Sequence, residues 1–94
     1  KTISKKQLRQ EQARERQRLK PLQDKVNKVE KNMAEQRNKL AGLDEQLADE
    51  ALYTDSDRAD EVGKLAREQA ETREIIESLE WQWLEASEEL EKAK

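Results

Sequence analysis

Apolar positions recur at spacings of three and four through two long stretches of this chain. Leu19, Leu22, Val26, Val29, Met33, Gln36, Leu40, Leu43 and Leu47 form the first. Val62, Leu65, Gln69, Thr72, Ile76, Leu79, Trp83, Ala86, Leu90 and Ala93 form the second. A period of about 3.5 residues held over several heptads marks helices that bury a narrow seam against a partner helix. The pattern predicts an all-α fold, an antiparallel two-helix coiled-coil hairpin. Folding the chain back near residue 52, so that facing numbers sum to 105, sets seam against seam: Leu43 with Val62, Val29 with Ile76, Leu22 with Trp83, Leu19 with Ala86. Flanking charges fit that register, with Glu30 near Arg73, Lys39 near Glu68 and Arg18 near Glu89. Exposed pairs of this kind contribute only about 0.2–1 kcal/mol each, so they select a register more than they stabilise it.

The breaks in the pattern set the boundaries. Pro21 lies between Leu19 and Leu22, removes a backbone donor and is expected to kink the first helix or to start a new one. A basic helical arm, residues 1–20, is thereby set off from a hairpin, residues 21–94, the two forming one domain. Helix one is expected to reach about residue 49, the tip to occupy about 50–55 and helix two about 56–93. Thr54 and Asp57 have the spacing of a capping box. Leu52 and Tyr53 are expected to fold back over Leu47 and Arg58 to close the tip. Gly42 and Gly63 each cost a helix roughly 1 kcal/mol relative to alanine, which close backbone approach would explain. Gln36 facing Gln69 is either a tolerated polar pair or a register lock of the kind a buried amide provides. The turn chemistry favours a monomeric hairpin over a swapped dimer.

Composition narrows the function classes. With 94 residues, 44% of them charged and 3% aromatic, the chain can bury a seam but has no material for a globular core. Cysteine and histidine are absent, which removes disulfides, thiol chemistry, most zinc sites and the usual general base. Catalysis by this chain is not expected, and paired carboxylates such as Glu88 and Glu89 have no base or pocket to serve. There is no apolar run of membrane-spanning length and no apolar signal-peptide core, so a cytoplasmic location is the default. The opening on Lys1 suggests a piece of something larger.

Charge is distributed unevenly. Of a net −3, residues 1–20 carry +6 and the remainder −9. Lys5, Lys6, Arg9, Arg14, Arg16, Arg18 and Lys20 are the candidate nucleic-acid-binding residues, because a helix presents cations along a phosphate backbone at about 1.5 Å per residue. The competing reading pairs the same side chains with Glu85, Glu88, Glu89 and Glu91 at the end of helix two. Trp83 belongs to the seam. Trp81 falls on the outer face, where a large ring is costly to leave wet, and is a candidate partner contact.

Several short stretches resemble one family. The basic helix Lys5-Lys6-Gln7-Leu8-Arg9-Gln10-Glu11-Gln12-Ala13-Arg14, then Pro21-Leu22, Glu30-Lys31-Asn32-Met33, Leu52-Tyr53 and Trp83-Leu84-Glu85-Ala86 look like the C-terminal coiled-coil domain of the ABC-F ATPases. The resemblance is nearest to the YheS-like branch, with Uup more distant, and covers nearly the whole chain. It implies an appendage of a cytoplasmic ATPase that acts on the ribosome in translation, with DNA binding associated with the Uup domain. ATP and magnesium would belong to the parent's cassettes, since no Gly-rich phosphate loop is present here and no cofactor or metal is expected in this fragment. Two functions follow as expectations: an accessory domain binding ribosomal RNA or DNA through the arm, or a protein-interaction module docking ribosomal protein or the parent's own cassettes.

Overall fold

The computed structural model describes residues 4–94. Residues 1–3 of the expected arm, Lys1 among them, lie outside the described residues. The fold is all-α, with no strand among the described residues: α1 spans Lys5–Ala48, α2 spans Ala51–Thr54, a 3-10 turn covers Ser56–Arg58, and α3 spans Ala59–Ala93. The two long helices pack side by side in a body of 81 × 19 × 13 Å.

Each helix end has a local cause. Ser4 caps α1, its hydroxyl accepting from the Gln7 amide at 3.2 Å while the Gln7 side chain accepts from the Ser4 amide at 3.3 Å. This reciprocal box satisfies two of the donors that a helix start leaves unpaired. The chain turns at Asp49, whose carboxylate accepts from the Ala51 amide at 3.0 Å and starts α2. The box expected between Thr54 and Asp57 does not form. The Thr54 hydroxyl turns back to donate to the Ala51 carbonyl at 3.2 Å. Asp55, one residue later and extended, takes the Asp57 amide at 3.0 Å and caps the 3-10 turn instead. Helix α3 therefore begins at Ala59, with Asp60 and Glu61 complementing its positive end. Leu52 is closed under the tip at 2% exposure. The Tyr53 ring stays exposed, tied by its hydroxyl to the Leu47 carbonyl at 2.5 Å.

Pro21 does not interrupt the first helix, which runs through it without a break. A proline inside a helix costs about 3 kcal/mol through its missing donor and its clash with the preceding turn. Leu19 and Leu22 on either side of it both pack on the cluster of Val26, Ala86 and Leu90. Their anchoring holds the backbone helical across the proline, and Pro21 itself faces solvent, where the carbonyl it fails to pair can be hydrated.

The register also differs from expectation, by one heptad. Val26 packs with Ala86 and Met33 with Leu79, pairs whose numbers sum to 112 rather than 105. Lys25 bonds Glu89 at 3.1 Å, Arg37 lies 3.6 Å from Glu80 and Arg73 lies 3.8 Å from Asp44, so the helices run antiparallel and the charges obey the same register. The pairs expected for Glu30 with Arg73, Lys39 with Glu68 and Arg18 with Glu89 are not the ones made. A seven-residue step preserves the seam, so apolar spacing alone does not choose between the two registers. The tip chooses. The observed turn, built by Asp49 and Asp55, buries Leu52 at 2% exposure. The Trp83 indole adds a second preference by donating to Glu30 at 3.0 Å, a bond available only in this alignment.

The choice of register has a cost at Gln36. It now lies at the level of Ile76, and its side-chain oxygen is buried without a partner. Gln69 sits elsewhere, donating to Asp44 at 2.5 Å. The expected Gln36–Gln69 layer, as tolerated pair or as lock, is absent. Gly42 and Gly63 are not at close approaches either. A Cβ at either position would meet nothing within 4 Å.

Candidate nucleic-acid interface

In this register α3 ends at the level of Leu19. Arg18 marks the place: its guanidinium donates to the Ala93 carbonyl and also forks onto Glu15. A cation at the carbonyl end of a helix complements the macrodipole. The hydrogen bond from Arg18, and after it the Arg18 charge, hold the Glu15 carboxyl below the usual carboxylate range against an opposing desolvation, and Glu15 in turn raises the Arg18 guanidinium. From Ser4 to Arg18 the α1 helix continues past the end of α3, with no other described element alongside it. That unpaired length is roughly 21 Å at 1.5 Å per residue.

Helical geometry then sorts the seven candidate cations. Successive residues turn by about 100°, which gathers Lys5, Lys6, Arg9, Arg16 and Lys20 within an arc of about 100° centred some 120° round the helix from the seam. Shallow grooves record the same face: Lys5, Lys6 and Arg9 line one with Ala13, and Ala13 lines the next with Arg16 and Lys20. Arg14 is not on it. It shares a different groove with Gln7 and Glu11. Arg18 is turned to Glu15 and Ala93. The acidic residues of the arm, Glu11 and Glu15, fall on the seam side. Sequence reading found the seven cations but not their division into five and two, although all seven precede Pro21 and helical spacing over 5–20 gives it; what continuity through Pro21 adds is the direction of that face relative to the seam.

All seven are solvent-exposed. Among the described residues none of Lys5, Lys6, Arg9, Arg14, Arg16 and Lys20 makes an ion pair, and only Arg18 does. The pairing expected with the end of α3 is not made, because the one-heptad shift draws that end away from the arm. Glu89 bonds Lys25 instead and Glu91 bonds Lys94 at 3.0 Å. Lys5 and Lys6 also sit in the first turn of α1, which holds no acidic residue. Cations there oppose the macrodipole, typically by 0.3–1 kcal/mol each at about this exposure.

The aromatic residues divide as expected. Trp83 is half-buried between the helices, its N–H satisfied by Glu30, a partner that sequence reading missed because it assigned the wrong register. Trp81 is 64% exposed on the face of α3 opposite the seam. No group of acidic or sulfur ligands suited to a metal occurs among the described residues, and no helix is long and apolar enough to cross a membrane. Compared with protein-family models, with curated proteins and with solved structures, the chain finds no match.

Proposed function

We propose that this chain is an accessory nucleic-acid-binding coiled-coil domain, carried by a larger cytoplasmic ATPase of the ABC-F type that acts in translation. The arm would lie along the phosphate backbone of ribosomal RNA or DNA, and the paired helices would hold it away from the parent's cassettes. ATP and magnesium would be bound by those cassettes and not here. The observation that supports this reading is the line of Lys5, Lys6, Arg9, Arg16 and Lys20 on one solvent-facing side of α1, most of it along the length that has no other described element beside it. Five cations over about 22 Å can each reach a phosphate of one backbone stretch, and such binding is salt-dependent and weakly selective for sequence. The first turn adds Lys5 and Lys6 to the free backbone amides of a helix start, a favourable setting for one phosphate.

The test is a salt titration of binding to a short RNA or DNA duplex, followed by fluorescence anisotropy. Replacing Lys5, Arg9, Arg16 and Lys20 with glutamine is expected to weaken binding and to flatten the slope of log K against log salt, by up to about 0.9 for each DNA phosphate that is no longer neutralised. Arg14→Gln, off that face, is expected to change little. Affinity and slope unchanged in the four-site variant overturn the proposal.

The exposure of Trp81 favours a second reading, in which the outer face of α3 docks protein.

A further inference from the structure

Opposite its seam, α3 presents a stripe of Glu74, Glu77, Trp81, Glu85 and Glu88, each within about 40° of the outward direction at 100° per residue. Arg67 and Lys92 bound the stripe at its two ends. None of its four glutamates forms an ion pair among the described residues, and the indole at its centre is 64% exposed. Leu84, one turn from Trp81, is 45% exposed and extends the apolar patch. A large ring left in water amid unpaired carboxylates marks a face that buries itself against something cationic.

The same chain carries a surface with the complementary pattern. Laid antiparallel on α3, the arm meets the stripe at numbers totalling 93 or 94: Lys5 with Glu88, Arg9 with Glu85, Arg16 with Glu77 and Lys20 with Glu74. Ala13 then falls on Trp81. The one small residue of the basic face thus meets the one large residue of the acidic face. The lengths agree as well, about 22 Å for Lys5 to Lys20 and about 21 Å for Glu74 to Glu88. These surfaces cannot meet within one molecule, because residues 74–88 lie alongside residues 24–38 of α1, well past the arm, and the basic face points away from the seam.

We infer that the Glu74–Glu88 face of α3 docks the basic arm of a second copy of this chain. The contact is heterologous: each copy offers its arm to one neighbour and its acidic stripe to another. Residue 13 of one copy sits level with residue 31 of the next, so α1 helices run parallel and successive copies are staggered by about 27 Å. Such an assembly grows without closing, and its strength falls with salt because exposed ion pairs hold it. Since nucleic acid would compete for the same arm, the measurement is made without it, and its outcome is independent of the nucleic-acid reading.

Sedimentation equilibrium of the full chain, over a concentration series at low and high salt, tests the inference. At low salt the weight-average mass is expected to rise with concentration above the 11.1 kDa of one copy, and to return to it at high salt. Glu77→Lys with Glu85→Lys reverses the stripe, and Arg9→Glu with Arg16→Glu reverses the arm; each double variant alone is expected to associate at least about tenfold more weakly. Mixing the two double variants is expected to restore association, since the arm of each then complements the stripe of the other. Circular dichroism checks that both remain helical. A chain that sediments as one copy at every concentration and salt overturns the inference. So does association that survives either reversal, which would place the contact elsewhere, or a mixture that fails to recover.

Discussion

Two lengths of a single helix differ in support: one packs on α3, and the other has no described element beside it. From Leu19 onward α1 buries Val26, Val29, Met33 and Leu43 against α3, and each turn is held by side chains remote in sequence. From Ser4 to Arg18 the same helix has, among the described residues, its own backbone bonds, the Ser4–Gln7 box, the Glu15–Arg18 pair and, at its last residue, the bond from Arg18 to the Ala93 carbonyl. Helices of about 12–15 residues are marginal in water on their own. The arm therefore remains helical mainly by propagation from the paired length, and the proline between them does not cut that propagation. Stability and candidate function are thus separated along one continuous element.

Amide exchange gives the largest contrast. Amides of Val26 to Met33 are expected to approach the protection of global unfolding, while those of residues 9 to 17 exchange orders of magnitude faster through local opening. Equal protection on the two sides of Pro21 breaks the comparison. Truncation is next in size. Leu79→Ala removes an apolar side chain buried with Val29 and Met33 and is expected to cost about 2–4 kcal/mol in urea unfolding. Leu8→Ala, at a position 47% exposed on the arm, is expected to stay within about 0.5 kcal/mol.

A gain of about 1–3 kcal/mol is expected from Gln36→Leu, which removes a buried oxygen with no partner. A loss on that substitution would mean that Gln36 has a role the register does not explain. Gly42→Ala and Gly63→Ala are each expected to gain about 1 kcal/mol, because both positions are helical and a Cβ there meets nothing. The smallest effect is acid sensitivity. Hydrogen bonds from Arg58 to Glu61, at 2.9 and 3.3 Å, hold the Glu61 carboxyl below the usual carboxylate range, as Arg18 does for Glu15. A carboxyl with its folded pKa depressed contributes stability above its unfolded pKa and loses it as pH falls through the folded value. Carbon-13 titration is expected to find both groups below the ordinary range of a glutamate carboxyl. Global stability should register only the loss of Glu61, which closes the first turn of α3, and not that of Glu15 on the arm.

The seam spacing made two long helices legible, and charge counting made the arm legible. Spacing could not say which of two heptads would pair, since Val26 is as well placed to meet Leu79 as Ala86. That choice rests on the burial of Leu52, the bond from Trp83 to Glu30 and the turn built by Asp49 and Asp55. Sequence reading put the cap at Thr54 because threonine with a carboxylate three residues on fits the box; Asp55 competes for the same amides and wins. It read Pro21 by local propensity, which tertiary anchoring by Leu19 and Leu22 overrides. Ser4-Lys5-Lys6-Gln7 carries a visible capping signature, serine followed three residues later by glutamine, but it lies well ahead of the apolar seam and a search led by that seam passes over it.

The contact between Arg18 and the Ala93 carbonyl works as the zero mark of a gauge. The level at which the two helices pair decides which cations the described part of α3 lies beside, and that level is set at the opposite end of the molecule, by the turn after Asp49. Because the seam tolerates slippage only in whole heptads, the free length of the arm comes in steps of about 10 Å. Shortening the turn so that the helices re-pair one heptad along would slide the end of α3 down to about Gln12, laying Glu85 to Glu91 beside Arg14, Arg16 and Lys20. A few residues at the tip thus meter the reach of the cations at the base.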